Sequence, residues 1–217
     1  MQKAAVVAIA LLVPVLFVGN GLYLLTHSWF VRAEYARPGF PTDELGLKTP
    51  ERTRLAIVGL HSILPWQRRG IDLLREARLD DGSIAFDADE LRHMTDVRRL
   101  LGILLALHAV ALVALVALGA VRRTRALAGR ALHAGALFTL GLCAAIGLLL
   151  LVNPVWFLTG FHTIFFQGSS WRFDDDETLR RLFPDLFWSD TTLLLGVGAA
   201  FQAALVLVAM RWWSLRP

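Results

Sequence analysis

The chain has 217 residues, 56% hydrophobic and 18% charged, with a formal charge of +4. So large an apolar share in so short a chain excludes a sizeable soluble domain, and a net charge this small, concentrated in arginines beside apolar runs, calls for no nucleic-acid partner. The single cysteine, Cys143, excludes a disulfide within the chain.

Four apolar runs, 4–25, 100–121, 131–152 and 191–210, each approach the roughly 20 residues that cross a bilayer core. They predict an all-α membrane protein, a single integral domain over 1–217 with four transmembrane helices. The first run has the position of a secretory leader, but it is long and has no small-residue cleavage site before Leu24-Leu-Thr-His27, so it is read as a membrane helix. Pro14 predicts a kink in it, and Asn20 an amide turned inward. Gly135, Gly141 and Gly147 in the third run, and Gly196 and Gly198 in the fourth, are expected to let helices approach closely.

Basic residues in short segments orient the chain. Lys3 precedes run one, Arg122, Arg123, Arg125 and Arg130 join runs two and three, and Arg211 and Arg216 follow run four. All three segments then face the cytoplasm, with both termini inside, which leaves 27–99 and 153–190 as outer loops. The first outer loop reads as a helical loop domain. Thr49-Pro-Glu-Arg52 opens a helical stretch that Pro65 stops, Ile71 to Leu79 leads to the turn Asp80-Asp-Gly82, and Asp87-Ala-Asp-Glu90 has the pattern of a helix N-cap with glutamate at its third position. The second outer loop carries 10 of the chain's 22 aromatic residues, a density suited to the lipid headgroup layer.

Two histidines stand out against this frame. On a helix His93 shares a face with Asp89, Glu90 and Asp96, so that a carboxylate is within reach of its ring. His162 is flanked by Phe161 and Phe165, surroundings that lower the pKa of an unpaired imidazole. Both fall on the outer side, and histidine is the side chain best suited to move protons near neutral pH. The local pattern leaves a second reading open, in which each ring merely sits at an interface with its nitrogens satisfied by water or backbone. His27, His61, His108 and His133 lack a comparable setting and are read as structural. Glu90, His93, Asp96 and His162 have metal-ligand chemistry, but no His-x-x-x-His or His-Glu-x-x-His spacing supports a metal site. Ser169 and Ser170 lie near His162 without a nucleophile-elbow motif. No phosphate loop or dinucleotide fingerprint occurs, and no cofactor is expected.

Taken in order, Glu44-Leu-Gly-Leu-Lys-Thr-Pro-Glu-Arg52, Glu90-Leu-Arg-His-Met-Thr-Asp-Val97, Phe161-His-Thr-Ile-Phe-Phe166 with Trp171, and Leu182-Phe-Pro-Asp-Leu-Phe-Trp188 cover nearly the whole chain. Together they resemble the lipoprotein intramolecular transacylase (Lit) family of four-helix bacterial membrane proteins. The resemblance implies an enzyme at the outer face of the bacterial cytoplasmic membrane. Its reaction moves the sn-2 acyl chain of a diacylglyceryl lipoprotein onto the amine of the N-terminal cysteine and leaves a lyso-form lipoprotein. It implies a diacylated lipoprotein substrate, contact with membrane lipids, and functional histidines at His93 and His162. On that premise one histidine is a base, with His93 preferred and Asp96 or Glu90 tuning it, and the other serves the oxyanion or the leaving oxygen; the roles are exchangeable. Trp171, Phe161, Phe165 and Phe166 are expected to support the site and line the acyl chain or the interface. The alternatives are a metal-dependent membrane hydrolase and a non-catalytic partner that binds lipid or another membrane protein.

Overall fold

The computed structural model describes residues 2–166 and 171–214. Among them every regular element is helical: α1 (Gln2–Ala10), α2 (Val13–Leu25), α3 (Ser28–Ala36), α4 (Thr49–Ser62), α5 (Asp72–Arg75), α6 (Ala88–Ala120), α7 (Arg125–Val152), α8 (Pro154–Phe165), α9 (Thr178–Leu182) and α10 (Asp185–Ser214). Among the described residues four stretches are long and apolar enough to cross a membrane: Gln2–Leu25, Ala88–Ala120, Arg125–Val152 and Asp185–Trp212. The chain is a multi-pass, all-helical membrane protein. The second and fourth of these helices start before the apolar runs in the sequence, and at α6 a polar cap rather than the onset of hydrophobicity sets the first turn. At α6 the cap is reciprocal, with the Glu90 amide donating to Asp87 Oδ1 at 2.8 Å and the Asp87 amide to Glu90 Oε2 at 2.8 Å.

The helices contribute to two compact units, one of Met1–Tyr23, Leu104–Phe157 and Thr192–Pro217, the other of Leu24–Ile103 and Leu158–Thr191. In the first, Val13, Leu16 and Phe17 of α2 form a core with Ala111, Ala136, Ala199 and Ala203. Small side chains on the partner helices bring the backbones together. Pro14 has no amide to offer the Ala10 carbonyl, so the first span breaks between α1 and α2 as its sequence predicts. The freed carbonyl and Val13 press on Gly135, where a Cβ would lie 2.8 Å from Ala10 O and 2.4 Å from Val13 Cγ2. Gly19 similarly makes room for His108, whose Nδ1 is 3.2 Å from the Leu16 carbonyl. The expectation of close approach holds at Gly135 but not at Gly141, Gly147, Gly196 or Gly198, which have open space beside them. Asn20 does turn inward, donating to Gln202 Oε1 at 2.6 Å, while Gln202 Nε2 donates to the carbonyls of Phe17 and Gly198.

The second unit is built on Phe30, Val31, Leu55, Ala56, Leu74, Phe86, Met94, Leu179, Leu182 and Phe187. Helix α4 begins at Thr49 with Pro50 in its first turn, where a missing amide costs nothing, as the Thr49-Pro-Glu-Arg52 pattern predicts. Arginines, Arg52 buried and Arg181 and Arg98 half-buried, then tie irregular segments to helices. Arg52 donates to the carbonyls of Arg181 at 2.8 Å and Pro41 at 2.6 Å, with its guanidinium 5.1 Å from the Tyr35 ring centroid. Arg181 forms a fork on Asp43 at 3.0 and 2.9 Å. Arg98 of α6 donates to the carbonyls of Ser62, Leu64, Pro65 and Gln67, satisfying the backbone where α4 ends. The Ile71 to Leu79 segment contains the short α5, and Gly82 (φ +87°) closes the turn after it, with its amide donating to Leu79 O at 2.9 Å.

Candidate active site

The site is a cluster of rings in the second unit, supplied by the first turns of α6, the end of α8 and the chain that follows α8. Capping by Asp87 and Glu90 fixes where α6 begins. Three residues after Glu90, His93 takes its place on the helix, while Met94 next to it turns into the core and is 6% exposed. At the other side Asn153 caps α8 by accepting the Trp156 amide at 2.9 Å, and Pro154 occupies its first position. His162 lies in the last turn of that helix.

The two rings are brought together. Their centroids are 6.4 Å apart and their planes 21° from parallel. Phe166 touches both, at 5.0 Å from His93 and 5.4 Å from His162. Trp171 stacks on His162 at 4.5 Å, Phe161 meets it edge-on at 5.5 Å, and Phe173 meets His93 edge-on at 5.2 Å. Phe165 stays apart from both histidines, packing on Phe161 at 4.9 Å and left 47% exposed. Phe173 belongs to the same aromatic segment, and nothing in its spacing in the sequence distinguishes it from the others.

His162 has a defined tautomer. Its Nδ1 lies 2.8 Å from the Leu158 carbonyl, one helical turn back. A carbonyl only accepts, so Nδ1 carries the proton and Nε2 keeps its lone pair. Burial among the rings lowers the His162 pKa from the usual histidine value, against the smaller raising effect of the Leu158 bond, so the neutral ring prevails at neutral pH. His93 is held differently. Its Nδ1 is buried with no hydrogen-bond partner among the described residues.

The carboxylates expected to tune His93 are engaged or separate. Glu90 is 2% exposed and accepts from two backbone amides, Asp87 at 2.8 Å and Leu179 at 2.6 Å, so its work is to cap α6 and tie it to α9. Asp96 is half-buried one turn beyond His93, and no hydrogen bond joins it to that ring. The sequence spacing put both carboxylates on the correct face but carried no information on the Leu179 amide, which is distant in the chain. Among the described residues no group of three or more His, Cys, Asp or Glu side chains converges as metal ligands would. Ser169 and Ser170 lie outside the described residues.

The arrangement therefore supplies a neutral imidazole with an open lone pair, a second imidazole with a free ring nitrogen, and apolar rings around both. Such a site can take a proton from one group and return it to another while keeping bulk water away.

Three comparisons bear on what that chemistry serves. The model of the family described as lipoprotein intramolecular transacylase Lit matches residues 6–188. An uncharacterized protein of Aquifex aeolicus is 28% identical over 208 residues, covering 95% of this chain and 93% of its own. The in meso structure of the membrane-integral lipoprotein intramolecular transacylase Lit from Bacillus cereus shares the fold, with a TM-score of 0.69 at 12% identity, covering 98% of this chain and 95% of that one. A histidine-to-arginine variant of the same Bacillus cereus protein aligns with a TM-score of 0.67, also at 12% identity, over 98% of this chain and 91% of its own.

Proposed function

Because the chain belongs to the lipoprotein intramolecular transacylase Lit family, and is thus a membrane enzyme that transfers acyl groups on lipoproteins, we propose that its reaction runs at His93 and His162. In this reading the sn-2 acyl chain of a diacylglyceryl lipoprotein passes to the amine of the N-terminal cysteine, giving the lyso form. The observation that carries it is the pairing of two imidazoles at 6.4 Å inside a shell of aromatic rings.

The chemistry needs only what the site has. Nitrogen attacks the ester carbonyl carbon, the new C–N bond forms, and the C–O bond to the glycerol oxygen breaks. One proton leaves the nitrogen and one arrives on that oxygen. His162 is the group prepared to carry it, because its Nδ1–H is occupied by Leu158 O and its Nε2 lone pair is available. This reverses the preference from sequence for His93 as base. His93, with a ring nitrogen that has no partner among the described residues, serves the substrate as a hydrogen-bond donor at the departing glycerol oxygen. Amine and ester belong to one molecule, so the enzyme's main contributions are alignment and proton handling, and alignment alone is worth several kcal/mol. Exchange of an ester for an amide is downhill and calls for no nucleotide or external acyl donor.

The aromatic shell has a second consequence. Water competes with the amine for the ester, and its exclusion favours transfer over hydrolysis. Phe161, Phe166 and Phe173 are suited to line the acyl chain, and Phe165 to meet lipid, being exposed beside Ile164, itself 76% exposed. We place the site on the outer face of the cytoplasmic membrane, with both termini inside, on the strength of the arginines between α6 and α7 and near the C-terminus.

Mass spectrometry of the N-terminal peptide of a lipoprotein made with and without this enzyme tests the reading. Total mass should be unchanged, and mild base should release one fatty acid where it released two. Loss of one acyl mass would make the protein a hydrolase, and a gain would require an external donor.

A further inference from the structure

Three buried side-chain polar atoms have no hydrogen-bond partner among the described residues: Glu34 Oε2, His93 Nδ1 and Trp171 Nε1. Two of the three belong to the ring cluster. Burying a polar atom unpaired costs about 1–3 kcal/mol, so such an atom in a folded site calls for a partner that the free protein lacks. For His93 the reading above supplies one. Trp171 is left over, and its ring packing on His162 gives no reason for its N–H to go unbonded: a phenylalanine would stack as well.

The chemistry of the indole narrows what it meets. Its Nε1–H only donates and does not titrate in water, so the missing partner is an acceptor. Trp171 lies against His162, ring centroids 4.5 Å apart, which puts the donor beside the group that handles the proton. During acyl transfer one oxygen near that group gains charge without taking a proton, the carbonyl oxygen of the ester under attack. We propose that Trp171 is a catalytic residue, its Nε1–H donating to that carbonyl oxygen and strengthening the bond as the tetrahedral oxyanion forms. When nitrogen adds, the C=O pair moves onto oxygen and is held there by the indole. When the intermediate collapses, the pair returns, the glycerol oxygen leaves with a proton, and Trp171 is unchanged. The proposal rests on the assignment of transacylation to the two histidines.

The test uses the full-length enzyme in detergent micelles with a synthetic diacylglyceryl lipopeptide, and two replacements at one position. Trp171→Phe keeps a ring and removes the N–H, while 3-benzothienylalanine at the same position keeps the bicyclic shape with sulfur in place of N–H. Each should lower kcat by roughly 10²- to 10³-fold, the scale of one lost oxyanion donor, with KM little changed and the thermal midpoint of the isosteric replacement preserved. The second measurement uses a substrate with a thionoester at sn-2, whose sulfur accepts hydrogen bonds poorly. Wild type should lose more rate on it than either replacement does. An unimpaired isosteric variant, a loss carried by KM alone, or an equal thionoester penalty in all three enzymes would overturn the role of Trp171 and leave the histidine pair standing. Absence of ester-to-amide transfer by wild type would overturn the histidine assignment, and this proposal with it.

Discussion

The ring of His162 faces that of His93 with planes 21° apart and centroids separated by 6.4 Å, and among the described residues no hydrogen bond joins them. In a relay, one histidine would bond the other directly. Here His162 has a bond of its own through Nδ1, and His93 Nδ1 has no partner among the described residues. In the proposed reaction, a substrate that carries both amine and ester would engage Nε2 of His162 and the open nitrogen of His93 together.

Each single replacement, His93→Ala or His162→Ala, should lower turnover by roughly 10²-fold or more, the usual scale for a lost acid or base. The double variant should cost much less than the product of the two, because groups that serve one transition state fail as a unit. His133→Ala, on the exposed side of α7, should remain near wild type. Initial rates on a diacyl lipopeptide give the comparison, and full activity in either single variant would remove the pair from the mechanism.

Burial lowers the His162 pKa, so the proton that disables it as a base binds only below the ordinary histidine value of 6.5. Activity should therefore hold as pH falls through 6.5 and be lost at more acid pH, where His162 takes up a proton. The unfolded chain protonates this histidine at higher pH than the folded one, so its burial penalises folding progressively as pH drops below 6.5 and not above. An NMR titration of the labelled His162 ring, compared with the acid limb of the rate profile, checks both. A limb that follows a histidine titrating above 6.5 would exclude this ring as the base.

Much of this was legible before the structure. Apolar run lengths gave the four spans, Pro14 gave the break after Ala10, and Asp87 with Glu90 gave the start of α6, all because periodicity and capping are local in the chain. The two histidines were legible for a similar reason, each sitting in a motif of its own. What spacing did not contain were contacts between distant segments: Leu179 engaging Glu90, Trp171 stacking on His162 beside His93, and Val13 closing on Gly135 while Gly141 stays open. The glycines looked equivalent in sequence because nothing local says which face of α7 meets another helix.

That difference between glycines is measurable. At Gly135 even one methyl group meets Ala10 O and Val13, and because one of these is backbone neither moves cheaply; Gly135→Ala should cost roughly 1–3 kcal/mol, the range for overpacking. Gly141→Ala, with nothing within 4 Å of the new Cβ, should be neutral or slightly stabilising. Thermal unfolding in detergent separates the two. Equal effects would mean that α7 packs through another face.

Orientation follows from where the basic residues lie. In a Cys143→Ala background, a cysteine introduced at Ser83 should react with an impermeant thiol reagent in intact cells, and one at Ala126, beside Arg122, Arg123 and Arg125, should react only after permeabilisation. The reverse pattern would put the α6–α7 connection outside and move both histidines to the opposite face from the proposed substrate.

Glu90 distinguishes a carboxylate that tunes a catalytic ring from one that holds the fold. If it tuned His93, Glu90→Gln would shift the acid limb of the rate profile. Its two oxygens instead accept from the amides of Asp87 and Leu179, and it is 2% exposed. Glutamine retains one acceptor oxygen and must offer an NH₂ group to the other amide, while alanine leaves both amides unsatisfied in the interior. Stability should therefore fall in the order wild type, Glu90→Gln, Glu90→Ala, with the alanine variant losing about 1–3 kcal/mol for each amide left without a partner. The pH at which activity is half lost should stay where it is in wild type as long as the protein is folded. Denaturant unfolding followed by tryptophan fluorescence gives the order, and rate profiles below the unfolding midpoint give the limb; a displaced limb in a fully folded Glu90→Gln protein would return the carboxylate to the active site.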